Sequence, residues 1–387
     1  MKKLLIIVSF SLLITACNMF ESIDKAKDTE EVKAFKQEQA LREGDFAESV
    51  NIAEETINGD SDMRATSNES EEVASKVKFD VTSLSAIQIS NATINDITTL
   101  NTEDMVKAIA TTTNSAVAIE GAKKVYEDIS KPLENLINKN ISKAKEYTEA
   151  KTTIAESKMG QGNLKTTDVL DSFTGNANLA GNIVANTSSN DDFSIADLIE
   201  VNHNYKKAYL QGALDEFMKA LVKDITKFKN MKEIIPNYTD KYTAEMVTGG
   251  VWLAIEITDV FANKDQSKTQ DKWIFKKYSN LTDEDKLAWM KIKPKVIITL
   301  TNLRAKLMML LGVTEDQNGN LSAKDPSKVV NIKLLKDNYD DFYDVVDEFD
   351  NVLEKISSIT FSDSINDTTE QTNYEGLLNQ LGVATEQ

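Results

Sequence analysis

Apolar positions in this chain recur at helical spacing. Ile332, Leu335, Tyr339, Phe342, Val346, Phe349, Leu353 and Ile356 follow gaps of 3, 4, 3, 4, 3, 4 and 3, the spacing that keeps one face of an α-helix apolar. Leu214, Phe217, Met218, Leu221, Val222, Ile225 and Phe228 predict a second continuous helical face. Leu300, Leu303, Leu307, Leu310 and Leu311 predict a third, with Gly312 placed to cap it. Val296–Leu311 is interrupted by Asn302, Arg304 and Lys306, so it reads as a core helix and not a membrane span. Ile119, Ala122, Tyr126 and Ile129 repeat the spacing, which resumes after Pro132 with Leu133, Leu136, Ile137, Ile141 and Ala144. Proline is tolerated in a first turn, so Ser130-Lys131-Pro132 predicts the start of a new helix. Strand-like alternation is absent over any comparable length. The predicted fold is all-α, a multi-helix bundle or an irregular helical-repeat array.

Local signals place some of the boundaries. Ser194 with Asp197, and Thr282 with Asp285, have the spacing of an N-cap and its reciprocal carboxylate. Gly249-Gly250 lies inside the helical stretch Tyr242–Phe261 and reads as close helix packing or a kink. Residues 58–72 are polar and predict a loop. Residues 158–192, with Gly160, Gly162, Gly175 and Gly181, predict a linker or irregular insertion.

The first twenty residues carry a different pattern. Lys2 and Lys3 precede an apolar run from Leu4 to Ile14, too short to cross a bilayer and of the length of a secretory signal. Ile14-Thr15-Ala16-Cys17 resembles the bacterial lipobox. The resemblance implies diacylglycerol transfer to the Cys17 thiol, cleavage before Cys17 and acylation of the new amine, with palmitate as a labelled precursor. Two or more acyl chains anchor a protein stably, at about 0.8 kcal/mol per buried CH₂. Cys17 is the one cysteine in the sequence, so the mature chain would have neither a free thiol nor a disulfide. Asn18 is not the aspartate of the inner-membrane retention signal, which leaves outer-membrane delivery open.

Leu41-Arg42-Glu43-Gly44-Asp45-Phe46, followed by Ala53 and Ile57, predicts two helices joined by a tight turn between Glu31 and Ile57. The segment resembles part of a tetratricopeptide repeat, over about 25 residues and without a second copy at the 34-residue period. The expected organisation is a signal at 1–16 and a lipidated cysteine with polar tether at 17–30. A helical subdomain with the hairpin spans 31–157, the linker 158–192, a second helical subdomain 193–360 and a polar tail 361–387.

Charge narrows the partners. Lys and Arg total 44 against 62 Asp and Glu, a formal net charge of −18, which repels phosphate backbones and argues against nucleic acid. Within the heptad helix, Asp337, Asp340, Asp341, Asp344, Asp347, Glu348 and Asp350 form an acidic face. That face could meet cations or a basic partner, and the plainer reading is a solvated surface. The apolar face could be a coiled-coil seam, but Tyr339, Phe342 and Phe349 are bulky for one and suit packing against the chain's own helices.

No constellation of residues assigns an enzyme. His203 is the one histidine and Cys17 is committed to lipid, so nucleophilic triads and His/Cys zinc sites lack their parts. Asp316-Gln317-Asn318-Gly319-Asn320 starts like a calcium loop, but Leu321 and Ser327 hold the places of its glycine and final glutamate; a turn between helices is expected. Phosphate-cradling glycine motifs are absent. Trp252, Trp273 and Trp289 read as core packing, the latter two flanking Ile274-Phe275 and Leu287-Ala288. No catalytic, cofactor or metal residue is assigned, and no cofactor is expected. The functional expectation is a non-enzymatic lipoprotein of the cell envelope, held to the bilayer through acylated Cys17 and docking a protein partner. Two alternatives stand beside it. One is a transport-associated lipoprotein that holds an apolar ligand near Trp252, Phe261, Met308 and Met309; the other is a surface-displayed adhesin or antigen.

Overall fold

The computed structural model describes residues 30–77, 93–164, 205–221, 238–265, 272–316, 319–329, 339–361 and 367–380. Cys17, Ser194, Asp197, His203, Ile332, Leu335 and Asp337 lie outside them. The described residues form twelve α-helices and one small hairpin of strands, an all-α fold. In chain order the helices are α1 (Glu30–Glu43), α2 (Phe46–Gly59), α3 (Ser61–Ser75), α4 (Ile94–Thr98), α5 (Thr102–Thr111), α6 (Ser115–Lys139), α7 (Ile141–Gln161) and α8 (Lys207–Ala220). There follow α9 (Tyr238–Phe261), β1 (Ala262–Asp265), β2 (Lys272–Phe275), α10 (Asp283–Leu311), α11 (Tyr339–Ser358) and α12 (Asp367–Gln380). The strands pair antiparallel, with Ala262 opposite Phe275 and Asp265 opposite Lys272.

Helices α6 and α10 form the spine. α6 packs on α3, α5, α7, α8, α10 and α11, and α10 packs on α9 and α11. One apolar cluster contains residues from Ala53 to Leu378, drawn from both sides of residues 158–192. A smaller cluster joins the end of α10 (Leu307, Leu311) to Tyr339 and Val346 of α11. The apolar face of α11 is therefore spent on its own chain. Tyr339, Val346, Leu353 and Ile356 are buried and α11 lies on α10. No described helix is long and apolar enough to cross a membrane.

Several expectations hold in detail. Thr282 and Asp285 form a reciprocal capping box at the start of α10, and Gly312 ends that helix at φ +66°. Gly249 lies against Leu303, whose two methyl carbons would stand 2.9 Å from an added Cβ. Asp316 accepts from the Asn320 backbone N–H at 2.9 Å and Gly319 takes φ +81°, closing a turn between α10 and α11.

Others are corrected. Residues 58–72 are not a loop: Ser61–Ser75 is helix α3. Asp60 caps it, and the buried positions Met63, Thr66 and Ser70 are spaced as one face; two of the three are small and polar, which hid the face from an apolar count. Ser130-Lys131-Pro132 does not begin a helix, because Ser115–Lys139 is continuous with Pro132 buried inside it. A proline inside a helix costs about 3 kcal/mol, and burial of Ile129, Leu133 and Leu136 on both sides of it offsets that. The face drawn from Leu214 to Phe228 ends at Ala220. Leu221 is extended, and its carbonyl accepts from the Tyr126 hydroxyl at 2.9 Å; Val222, Ile225 and Phe228 lie outside the described residues. Lys158–Gln161 continue α7 into the expected linker, with Met159 and Leu164 buried. The expected polar tail contains α12, which buries Tyr374, Leu377 and Leu378.

Candidate functional site

The hairpin α1–α2 packs on α7 and leaves a groove of about 700 Å³ where α1, α2, the start of α3 and α7 converge. A glycine makes its turn possible. Gly44 takes φ +80°, and Asp45 N–H donates to the Ala40 carbonyl at 2.9 Å. Asp45 then caps α2 by accepting from Glu48 N–H. Phe46 presses its ring on Gly160 of α7, so closely that an added Cβ would stand 2.1 Å from a ring carbon. Ser49 Oγ donates to the Gln37 carbonyl at 3.2 Å and binds the two helices of the hairpin together. The glycine, aromatic and alanine of the repeat-like segment thus do packing work: Gly44 turns, Phe46 docks, and Ala53 is fully buried.

The far end of the groove is pinned by charge. Asp60 accepts from Asp62 N–H and Met63 N–H as the cap of α3, and it pairs with Lys143 of α7 at 2.9 Å. The hydrogen bond from Lys143 is the largest of the effects that hold the Asp60 carboxyl below its ordinary value. Asn140 caps α7 by accepting from Ser142 N–H and Lys143 N–H, which fixes the lysine's starting point. Along the α7 wall stand Lys145, Glu146 and Glu149; Lys33, Ala34 and Gln37 face them from α1. Lys145 is 3.9 Å from Glu149. Burial pushes the Glu149 carboxyl above its ordinary value, and Lys145 and Lys241 do not offset it. On the outer side of the hairpin, Lys33 and Glu55 also border a shallower depression of about 380 Å³.

Three further polar clusters lie deeper and serve the packing of helices. Glu216 of α8 accepts from Lys151 and Lys158 of α7, each at 2.8 Å, with Lys219 at 3.5 Å. Lys306 of α10 and Glu245 of α9 pair with both side chains fully buried, and Asn302 Nδ2 donates to the same carboxylate at 2.8 Å. The Tyr126 and Tyr242 rings lie 5.5 and 5.0 Å from the Lys306 ammonium. Lys293 donates to two main-chain carbonyls. Among the described residues, no group of three or more His, Cys, Asp or Glu could hold a metal ion.

Several residues singled out in the sequence fall away from the groove. Trp252, Phe261 and Met308 are buried in the core and Met309 is partly so. Phe261 packs its ring 5.0 Å from Trp289 and 5.1 Å from Tyr374. Phe275 and Trp289 are buried as expected, whereas Leu287 is exposed. On α11, Asp340, Asp344, Asp347 and Glu348 are exposed, while Asp350 turns inward to Arg304 at 2.7 Å. Gln37 and Glu149 gave no sequence signal, being ordinary polar residues on charge-rich helices. No protein-family model, curated protein or solved structure matches the chain.

Proposed function

We propose that this chain is a non-enzymatic lipoprotein of the bacterial cell envelope, anchored through acylated Cys17 and working as a scaffold that docks another protein. The observation that carries the reading is the lipobox-like Ile14-Thr15-Ala16-Cys17 placed just ahead of a helical domain. Helix α1 starts 13 residues after Cys17, a reach of at most about 45 Å at 3.3–3.6 Å per residue. A tether of that length keeps the α1–α2 hairpin and its groove within one domain's width of the bilayer. The acidic surface favours solubility and keeps the rest of the body off anionic lipid. The ligand-carrier alternative has less support, since Trp252 and Phe261 pack against other side chains of the core.

Replacing Cys17 with serine tests the anchor. The wild-type chain should incorporate labelled palmitate and sediment with membranes, and Cys17→Ser should do neither. A serine variant that still sediments, beside a wild type that takes up no label, rejects the proposal. Protease treatment of intact cells then assigns the face of the membrane from which partners come.

A further inference from the structure

One carboxylate in the core holds an amine and an amide side by side. Lys306 Nζ donates to Glu245 Oε2, and Asn302 Nδ2 donates to Glu245 Oε1 at 2.8 Å. All three side chains are buried. Asn302 and Lys306 are four residues apart on α10 and so share one face. Helical side chains lean toward the N-terminus, so the long lysine stem reaches back over the turn that carries Asn302. Two nitrogens bonded to the two oxygens of one carboxylate are neighbours, which brings the Lys306 amine beside the Asn302 carboxamide carbon.

The surroundings suit chemistry between these groups better than they suit an inert polar cluster. Asn302 Oδ1 has no hydrogen-bond partner among the described residues, so the amide is half satisfied, a cost that an apolar residue in its place would not carry. The ion pair is itself a weak stabiliser once both ions are buried. The buried rings of Tyr126 and Tyr242 flank the amine and keep hydrolytic water away. Burial favours the uncharged amine, which is the form that attacks a carbonyl carbon.

We infer that Lys306 and Asn302 join through an isopeptide bond that the folded chain makes by itself, with Glu245 as its acid–base catalyst. Within the buried pair the ammonium proton passes to Glu245, which leaves Nζ with its lone pair. Nζ adds to Asn302 Cγ; the carboxyl gives its proton to Nδ2 and takes one from Nζ. The Cγ–Nδ2 bond breaks, Nδ2 departs as ammonia, and a secondary amide links the two side chains. Glu245 ends as a neutral acid, so uncharged groups replace a buried ion pair. Aminolysis of an amide is slow in water, but fixing amine and amide on one carboxylate supplies effective molarities of up to about 10⁵–10⁸ M. The reaction is a single turnover per chain and does not depend on the membrane anchor or on a docked partner.

Mass spectrometry of tryptic peptides from the full-length protein tests the bond. Residues 296–304 should be recovered joined to residues 305–324, uncut after Lys306 and lighter by one ammonia than the two segments together. Asn302→Leu and Lys306→Arg should each give separate segments, cut after position 306. Glu245→Gln, with the helical content of wild type by circular dichroism, should also leave the bond unformed. Protein made with purified translation components should carry the same bond as protein from cells. Wild type cut after Lys306, with both segments at their sequence masses, overturns the inference without recourse to any variant. Loss of one water, with Lys306 joined to the peptide containing Glu245, overturns the assignment to Asn302. A bond that forms in folded Glu245→Gln, or only in protein from cells, overturns the self-catalysed step.

Discussion

Lys293 Nζ donates to the main-chain carbonyl of Ser357 at 2.7 Å, so a side chain of α10 closes the last turn of α11. The same nitrogen donates to the carbonyl of Thr112, the C-cap of α5, at 3.0 Å. Helix C-termini leave carbonyls without intrahelical partners, and one lysine satisfies two such ends at once. It is fully buried, and the charged group that faces it is Glu370 of α12. A neutral amine has two N–H donors, which is the number of carbonyls it meets.

Burial pushes the Lys293 amine down to about 7, with Glu370 acting in the opposite direction. Its folded value is therefore depressed below that of the unfolded chain, about 10.4. Between these values the unfolded state holds the extra proton, so this residue's contribution to stability rises with pH from about 7 to about 10 and is flat below 7. The swing is up to about 5 kcal/mol by linkage. Denaturant midpoints of wild type and Lys293→Met, compared from pH 6 to 10, should diverge as pH rises. Parallel curves would place the amine's titration outside that window.

Lys306 and Glu245 are paired with neither side chain accessible. Burial pulls the lysine below its ordinary value while Glu245 opposes that. Removing one partner strands the other, at about 3–5 kcal/mol. Lys306→Met should lower stability by that amount, and Lys306→Met with Glu245→Gln should recover much of it. A double-mutant cycle by urea unfolding measures the coupling; additive losses would mean that the pair contributes nothing as a pair.

Glu216 should govern part of the acid transition. Burial raises its carboxyl, but Lys151, Lys219 and Lys158 outweigh burial and hold it at about 2. Its folded value is depressed, so its stabilisation is present above about 4.5 and is lost as pH falls toward 2. The loss is about 3 kcal/mol by linkage. Glu216→Gln should be less stable than wild type at pH 7, and the two should converge near pH 2 in acid-titration melts.

Neighbouring glycines in α9 should respond with opposite sign. A Cβ on Gly249 would meet Leu303 at 2.9 Å, whereas one on Gly250 meets nothing within 4 Å. Gly250→Ala should stabilise by about 0.5–1 kcal/mol, the ordinary helix gain. Gly249→Ala should destabilise by about 1–3 kcal/mol through overpacking. Thermal melts of the two variants decide it.

The hairpin shows how far local pattern reaches. Gly44 before Phe46, with Ala53 and Ile57 at helical spacing, announced both helices and their turn. Helix α3 is not legible in the apolar pattern because Thr66 and Ser70, polar by type, fill two of its three buried positions. The leucines of α10 mark it as a core helix, yet Asn302, Arg304 and Lys306 are buried too. Their partners Glu245, Glu315 and Asp350 come from α9, the turn after α10 and α11. No periodicity reports a partner that is 46 or 57 residues away.

What the amino-acid order settled alone depends on neighbours within a few turns: helical class, the capping box at Thr282, the left-handed stop at Gly312 and the inner face of α11. Spacing of 3 and 4 along one chain is enough to specify these. What the tertiary structure decided was which polar residues go inside and which helices meet. Pro132 stays within one helix, Gly160 receives Phe46, Lys293 closes two helix ends, and Gln37 comes to border an acidic groove. Each of these is set by surfaces brought together from distant parts of the chain, where burial and pairing outweigh local preference.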